Sequence, residues 1–130
     1  MIVDSSAIIA ILRGEREAAA MAEALDRAEI CRMSAVTYVE AAVVTDSNKN
    51  PVLSGRLDNL LRHAEIQVES VTAKQAEIAR DAYRHFGKGR HEAGLNLGDC
   101  FTYALAKETG EPLLFKGDDF GKTDLEVVEY

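Results

Sequence analysis

The chain has 130 residues, 47% hydrophobic and 28% charged, with a formal net charge of −7. This is the composition of one folded domain over residues 1–130 rather than of a disordered chain. No apolar run approaches the ~20 residues of a membrane helix, and no basic segment followed by an apolar one opens the chain, so a cytoplasmic protein without a membrane span or signal peptide is expected.

The acidic balance also excludes nucleic-acid binding through bulk charge. Any such role needs a local basic patch, metal ions or both, whereas a basic protein partner is favoured. The two cysteines, Cys31 and Cys100, lack metal-ligand spacing and are expected to be reduced and buried.

In chain order, Ile2 and Val3 form a short buried strand running into Asp4, and Ala7, Ile8, Ile11 and Leu12 follow at helical spacing. Glu15 to Ala28 reads as a second helix and Glu29 to Met33 as a strand. Ser34 opens a third helix, with Val36, Val39, Val43 and Val44 on one face. Pro51 suits the first turn of a fourth helix carrying Leu57, Leu60, Leu61 and Ala64. Ile66 to Glu69 alternates as a strand. Thr72 caps a fifth helix with Ala79, Ala82, Tyr83 and Phe86 inward, and Gly87 to Gly94 is a basic loop. Asn96 begins a helix that runs to Gly110. Glu111 to Phe115 is a strand, Lys116 to Gly121 a turn, and Leu125 to Tyr130 a last strand. Alternating strands and helices predict an α/β/α sandwich around a mainly parallel sheet of about five strands.

Four carboxylates stand where such folds do chemistry, at carboxyl ends of strands or at helix starts. Asp4 ends the first strand, although it also suits the N-cap of the first helix. Glu40 lies among valines on the third helix, where a lone charge is costly unless paired, hydrogen-bonded or metal-bound. The Thr37-x-x-Glu40 spacing also fits a capping box, provided the helix starts at Thr37 rather than at Ser34. Asp99 lies in the first turn after Asn96, where the helix dipole alone favours an acid, and away from the Leu97, Phe101, Ala104, Leu105 stripe. Asp118 follows a strand in a glycine-flanked turn, where acids are often solvated turn formers. Together the four suggest a hard divalent cation held by oxygen ligands, which relieves the repulsion among them. No His/Cys cluster suggests zinc.

The segments Met1-Ile2-Val3-Asp4-Ser5-Ser6-Ala7, Ser34-Ala35-Val36-Thr37-Tyr38-Val39-Glu40, Leu97-Gly98-Asp99-Cys100-Phe101-Thr102-Tyr103-Ala104-Leu105-Ala106 and Leu113-Leu114-Phe115-Lys116-Gly117-Asp118-Asp119-Phe120 carry a family resemblance over essentially the whole chain. The chain resembles the PIN-domain ribonucleases, specifically the VapC toxins of bacterial VapBC toxin–antitoxin pairs. Leu97-Gly98-Asp99-Cys100 is the most specific of these segments. The resemblance implies Mg²⁺- or Mn²⁺-dependent cleavage of single-stranded RNA, a homodimer, and inhibition by a cognate VapB-type antitoxin in a hetero-oligomer. It makes Asp4 and Asp99 metal ligands, with Glu40 binding through water or orienting it. The fourth acid falls to Asp118 or Asp119, with Asp118 preferred, because Phe115-Lys116-Gly117 stands where many PIN domains read Thr-Asn-Asp. Ser5 or Ser6 and Thr37 supply hydroxyls near the metal or phosphate.

Two further features have competing readings. Arg80, Arg84, His85, Lys88, Arg90 and His91 are either a phosphate-binding patch, with Tyr83 or Phe86 for stacking, or a solvated charged loop. Ile9, Ile11, Leu12, Met21 and Leu25 suit either an antitoxin helix or the core. The alternatives to a ribonuclease toxin are a catalytically silent PIN-like module that binds RNA or a partner, and a phosphatase-like or 5′-nuclease enzyme using the same carboxylates.

Overall fold

The computed structural model describes all 130 residues. Ile2 and Val3 form β1, and both are fully buried, which requires cover on both faces of the sheet. The strands are β1, β2 (Arg32–Ser34), β3 (Gln67–Glu69) and β4 (Leu113–Leu114). They lie in the order β3-β2-β1-β4, all parallel. Alternation along the strands divides the apolar residues between two layers. Ile2 and Leu113 pack on one side with Ala79, Ala82, Cys100 and Tyr103. Val3, Met33 and Leu114 pack on the other with Ile8, Met21, Leu25 and Leu57. This is the expected α/β/α arrangement.

The helices are α1 (Ser5–Leu12), α2 (Ala18–Arg27), α3 (Ala35–Asp46), α4 (Pro51–His63), α5 (Ala73–Phe86) and α6 (Leu97–Thr109). No helix is long and apolar enough to cross a membrane. Five have a side-chain N-cap: Asp4, Ser34, Asn50, Thr72 and Asn96 each accept a hydrogen bond from the first turn. Pro51 occupies the first turn of α4 and Gly110 closes α6 in the left-handed conformation. Cys31 and Cys100 are free and buried.

Several expectations are corrected. The sheet has four strands rather than five, because Leu125 to Tyr130 contributes only a single bridge between Val127 and Leu113. β4 is only two residues long, and of these Leu113 alone faces that segment, donating its N–H to Glu126 O at 3.0 Å and accepting the Val128 N–H at 2.9 Å. The second helix starts at Ala18, after a left-handed Gly14 ends α1.

On α3 the inward face is Thr37, Ala41 and Thr45, while Val39 and Val43 are 54% and 61% exposed. Apolar residues occur all round this helix, so its buried side is chosen by close packing of small residues. Leu97 is also exposed, at the first position of α6, and Tyr83 is 43% exposed rather than inward. Of the five apolar positions suited to either a partner or the core, Leu12, Met21 and Leu25 are core, and Ile9 and Ile11 are partly buried against it.

Candidate active site

Asp4 follows β1 directly and is the N-cap of α1. The residue is 3% exposed and its carboxylate is held at both oxygens. Oδ2 accepts the Ser6 N–H at 3.0 Å, and Oδ1 accepts the Thr102 hydroxyl at 2.8 Å. Thr102 also lies 2.8 Å from the hydroxyl of buried Thr37. Thr102 has one hydroxyl proton, and the ionised carboxylate can only accept. The chain of donation therefore runs from Thr37 to Thr102 to Asp4. The Ser6 hydroxyl accepts the N–H of Lys116 at 3.0 Å, tying the end of β4 to the start of α1.

Glu40 sits in the middle of α3, because Ser34 caps that helix. This removes the capping-box reading. The Ser5 hydroxyl donates to Glu40 Oε1 at 2.6 Å. The other side of the carboxyl group lies against Gly98 on α6, so closely that a Cβ at that position would collide with Oε2. Gly98 is thus required by the approach of a charged group rather than by backbone conformation.

Asp99, the next residue, closes a capping box: its N–H donates to Asn96 Oδ1 at 2.9 Å, and its Oδ2 accepts the Asn96 N–H at 3.0 Å. Burial pushes its pKa up to about 7, the Asn96 N–H opposes that rise, and the charges of Asp4, Glu40 and Asp119 add to it. Asp99 at the start of α6 therefore feels the charges of Asp4, which follows β1, and of Glu40 on α3. None of them has a Lys, Arg or His within ion-pair distance.

The loop after β4 leaves Asp118 and Asp119 exposed, and the charge of Asp119 is among those that raise Asp99. An open cleft of about 520 Å³ adjoins the carboxylates through Ser5, lined also by Ser6, Arg13 and Lys116. Lys116 is paired with Glu15 and Glu17.

A hard cation fits this donor set. All candidate ligands are oxygens, their negative charge is uncompensated, and a missing side chain at Gly98 makes room for Glu40. The carboxylates do not form a closed cage, since no three His, Cys, Asp or Glu side chains converge tightly enough to hold an ion alone. That openness suits Mg²⁺, which keeps several waters and is usually bound by one or two carboxylates plus substrate phosphates. Sequence reasoning brought Asp4, Glu40 and Asp99 to this place and missed Thr102. Its one signal was a hydroxyl inside the apolar run Phe101 to Ala106.

A family model described as PIN domain matches residues 1–126. This chain belongs to the PIN-domain family. Within it, the chain is of the VapC type: it is 56% identical over 127 residues to ribonuclease VapC28 of Mycobacterium tuberculosis, covering 97% of this chain and 96% of that one. It is 45% identical over 128 residues to ribonuclease VapC30 of the same organism, covering 98% of each.

Among solved structures, M. tuberculosis VapC20, a sarcin-ricin loop cleaving toxin, superposes with a TM-score of 0.77 at 17% identity, covering 98% of this chain and 97% of that chain. A toxin–antitoxin complex from Klebsiella pneumoniae gives 0.74 at 20% identity, covering 99% and 97%. At these identities the structural likeness concerns the fold alone.

Proposed function

We infer that this PIN domain is the toxin of a toxin–antitoxin pair and acts as a divalent-metal-dependent endoribonuclease on single-stranded RNA. The observation that carries the reading is the group Asp4, Glu40 and Asp99: the first two carboxylates raise the third by their charge, Glu40 packs against Gly98 beside Asp99, and none has a basic partner, in a VapC-type chain. Binding alone gives no reason to keep such a group, and for that reason the silent-module reading is the weaker one. The relatives' names supply the substrate class, ribonuclease.

Asp4 and Asp99 would hold Mg²⁺ or Mn²⁺, with Glu40 reaching it through water. When bound, the ion supplies charge neutralisation and Lewis-acid polarisation of the scissile phosphate. The chain's own residues do the rest. Thr102 and the Ser6 N–H fix both oxygens of Asp4, so its carboxylate cannot rotate away. Asn96 occupies Oδ2 of Asp99 and leaves Oδ1 for the site. Ser5 holds Oε1 of Glu40, and Oε2 is left to orient the attacking water and take its proton. Asp119 is the better placed fourth acid, since its charge acts on Asp99.

Attack by water on the phosphodiester breaks the bond to the 3′ oxygen, giving a 5′-phosphate and a 3′-hydroxyl without using the 2′-hydroxyl. A basic segment of a VapB-type antitoxin is the expected inhibitor, its cations pairing with the unpartnered carboxylates.

The test is incubation of an RNA blocked at both ends with antitoxin-free protein and Mg²⁺, followed by analysis of the new termini. Internal cuts bearing 5′-phosphates support the reading. Cyclic 2′,3′-phosphate ends would contradict the proposed chemistry, and release of single nucleotides only from unblocked ends would favour an exonuclease.

A further inference from the structure

The local excess of positive charge on this acidic chain lies in residues 80–91, where Arg80, Arg84, Lys88 and Arg90 stand against one acid, Asp81. All four side chains are exposed. Arg80, Lys88 and Arg90 form no ion pair, and Arg84 reaches only the exposed Asp81, at 3.8 Å. Apart from that one contact, these charges are not taken up in ion pairs.

An aromatic ring sits among them. Tyr83 lies one helical turn from Arg80 on α5, and the Arg90 guanidinium carbon stands 5.2 Å from its ring centroid. The ring rests against Gly87, where any Cβ would strike it, so the loop backbone supports it from behind. The same loop leads into the acidic site. Lys88 donates its N–H to Leu95 O at 2.9 Å, and the next residue, Asn96, donates its N–H to Asp99 Oδ2 at 3.0 Å. Backbone hydrogen bonds thus join the basic loop to the segment that positions Asp99.

A group of carboxylates repels phosphates, so a substrate made of phosphates must gain its affinity elsewhere on the molecule. Basic side chains around a stacking surface are the usual means of holding an unpaired strand, because every base has a π face and a duplex offers none. We propose that the face formed by Arg80, Tyr83, Arg84, Lys88 and Arg90 holds the single-stranded part of the RNA substrate beside the cleavage site. The arginines and Lys88 take backbone phosphates, and the Tyr83–Arg90 pair stacks a base. This rests on the ribonuclease reading and adds to it where the strand runs.

The experiment measures binding of 5′-fluorescein-labelled oligouridylate and oligoadenylate by anisotropy in EDTA, over a range of salt, and then cleavage kinetics with Mg²⁺. Arg80→Ala, Lys88→Ala and Arg90→Ala should each reduce the slope of log affinity against log salt by about 0.7. Tyr83→Ala should weaken oligoadenylate about tenfold, with the slope unchanged. All four should raise KM and leave kcat near wild type. The three charge variants are at exposed positions and test the patch even if Tyr83→Ala loosens the loop.

If the wild-type protein binds and cuts RNA while the variants match it, the patch assignment is overturned and the ribonuclease reading stands. If binding depends on the patch but no cutting occurs, the patch stands and the nuclease reading fails. Equal loss of affinity for a duplex would overturn single-strand stacking. Loss of antitoxin binding with RNA binding intact would assign the face to the protein partner instead, and no RNA binding at all would remove both proposals.

Discussion

Thr102 on α6 donates its hydroxyl proton to Asp4 at the end of β1, 98 positions away in sequence, and is itself hydrogen-bonded to Thr37 on α3. Two fully buried hydroxyls therefore fix one oxygen of the carboxylate on which the proposed cation site depends. Thr102→Val leaves that oxygen without its donor. Loss of about 1–3 kcal/mol in stability is expected from urea unfolding, with weaker Mn²⁺ binding by calorimetry. Thr102→Ser should restore most of both. Thr37→Val should cost less, since Thr102 can still donate, and the double variant should fall short of the sum of the single effects.

Gly98→Ala is a test of the approach between α3 and α6. The added Cβ meets the Glu40 carboxyl group. In most helices this change is stabilising by about 1 kcal/mol. Here the melting temperature should change little, while displacement of Glu40 lowers kcat by about 10²-fold. Unaltered kcat would mean that Glu40 does not act in the reaction.

Asp99 gives the metal-free protein a pH dependence of definite sign. Its pKa rises from 3.8 in the unfolded chain to about 7 in the folded one, chiefly through burial. The folded state therefore binds the extra proton between these values. Its contribution to stability is full below about pH 4 and is lost as pH rises through about 7. Urea unfolding in EDTA should show stability declining over this interval relative to Asp99→Asn. Because a cation needs the ionised form, Mn²⁺ affinity should run the other way, tightening as pH rises towards 7 and levelling above it.

Asp119 and Asp118 are adjacent and both exposed, and the charge of Asp119 is among those that raise Asp99. Asp119→Asn should lower kcat/KM several-fold and reduce the pKa read from the pH–rate profile. Asp118→Asn should stay within about twofold of wild type, as expected for a surface change away from the reacting groups. The reverse order would return the fourth position to Asp118.

Much of this arrangement was legible in the sequence because it is local. A β-branched pair before Asp4, a cap at Asn96 followed by Asp99, and a cap at Ser34 that leaves Glu40 in mid-helix each need only a few neighbouring residues. The inward face of α3 was not legible, since valines surround that helix and the buried side is Thr37, Ala41 and Thr45. What selects it is contact with α6, including a hydroxyl pair 65 positions apart. Tyr83 was misplaced for a similar reason: helical spacing points it inward, but Gly87 and Arg90 hold it at the end of α5. The last strand shrinks to one bridge because β4 has two residues and meets that segment only through the backbone of Leu113.

The most direct measurement is cleavage of an end-labelled single-stranded RNA by wild type, Asp4→Asn and Asp99→Asn, each with EDTA, Mg²⁺ and Mn²⁺, alongside Mn²⁺ binding to the same preparations. The wild type should cut with either ion and not in EDTA, and the two folded variants should lose both cutting and tight Mn²⁺ binding. Cutting that persists in EDTA, or in both variants, would contradict metal-dependent cleavage at these carboxylates.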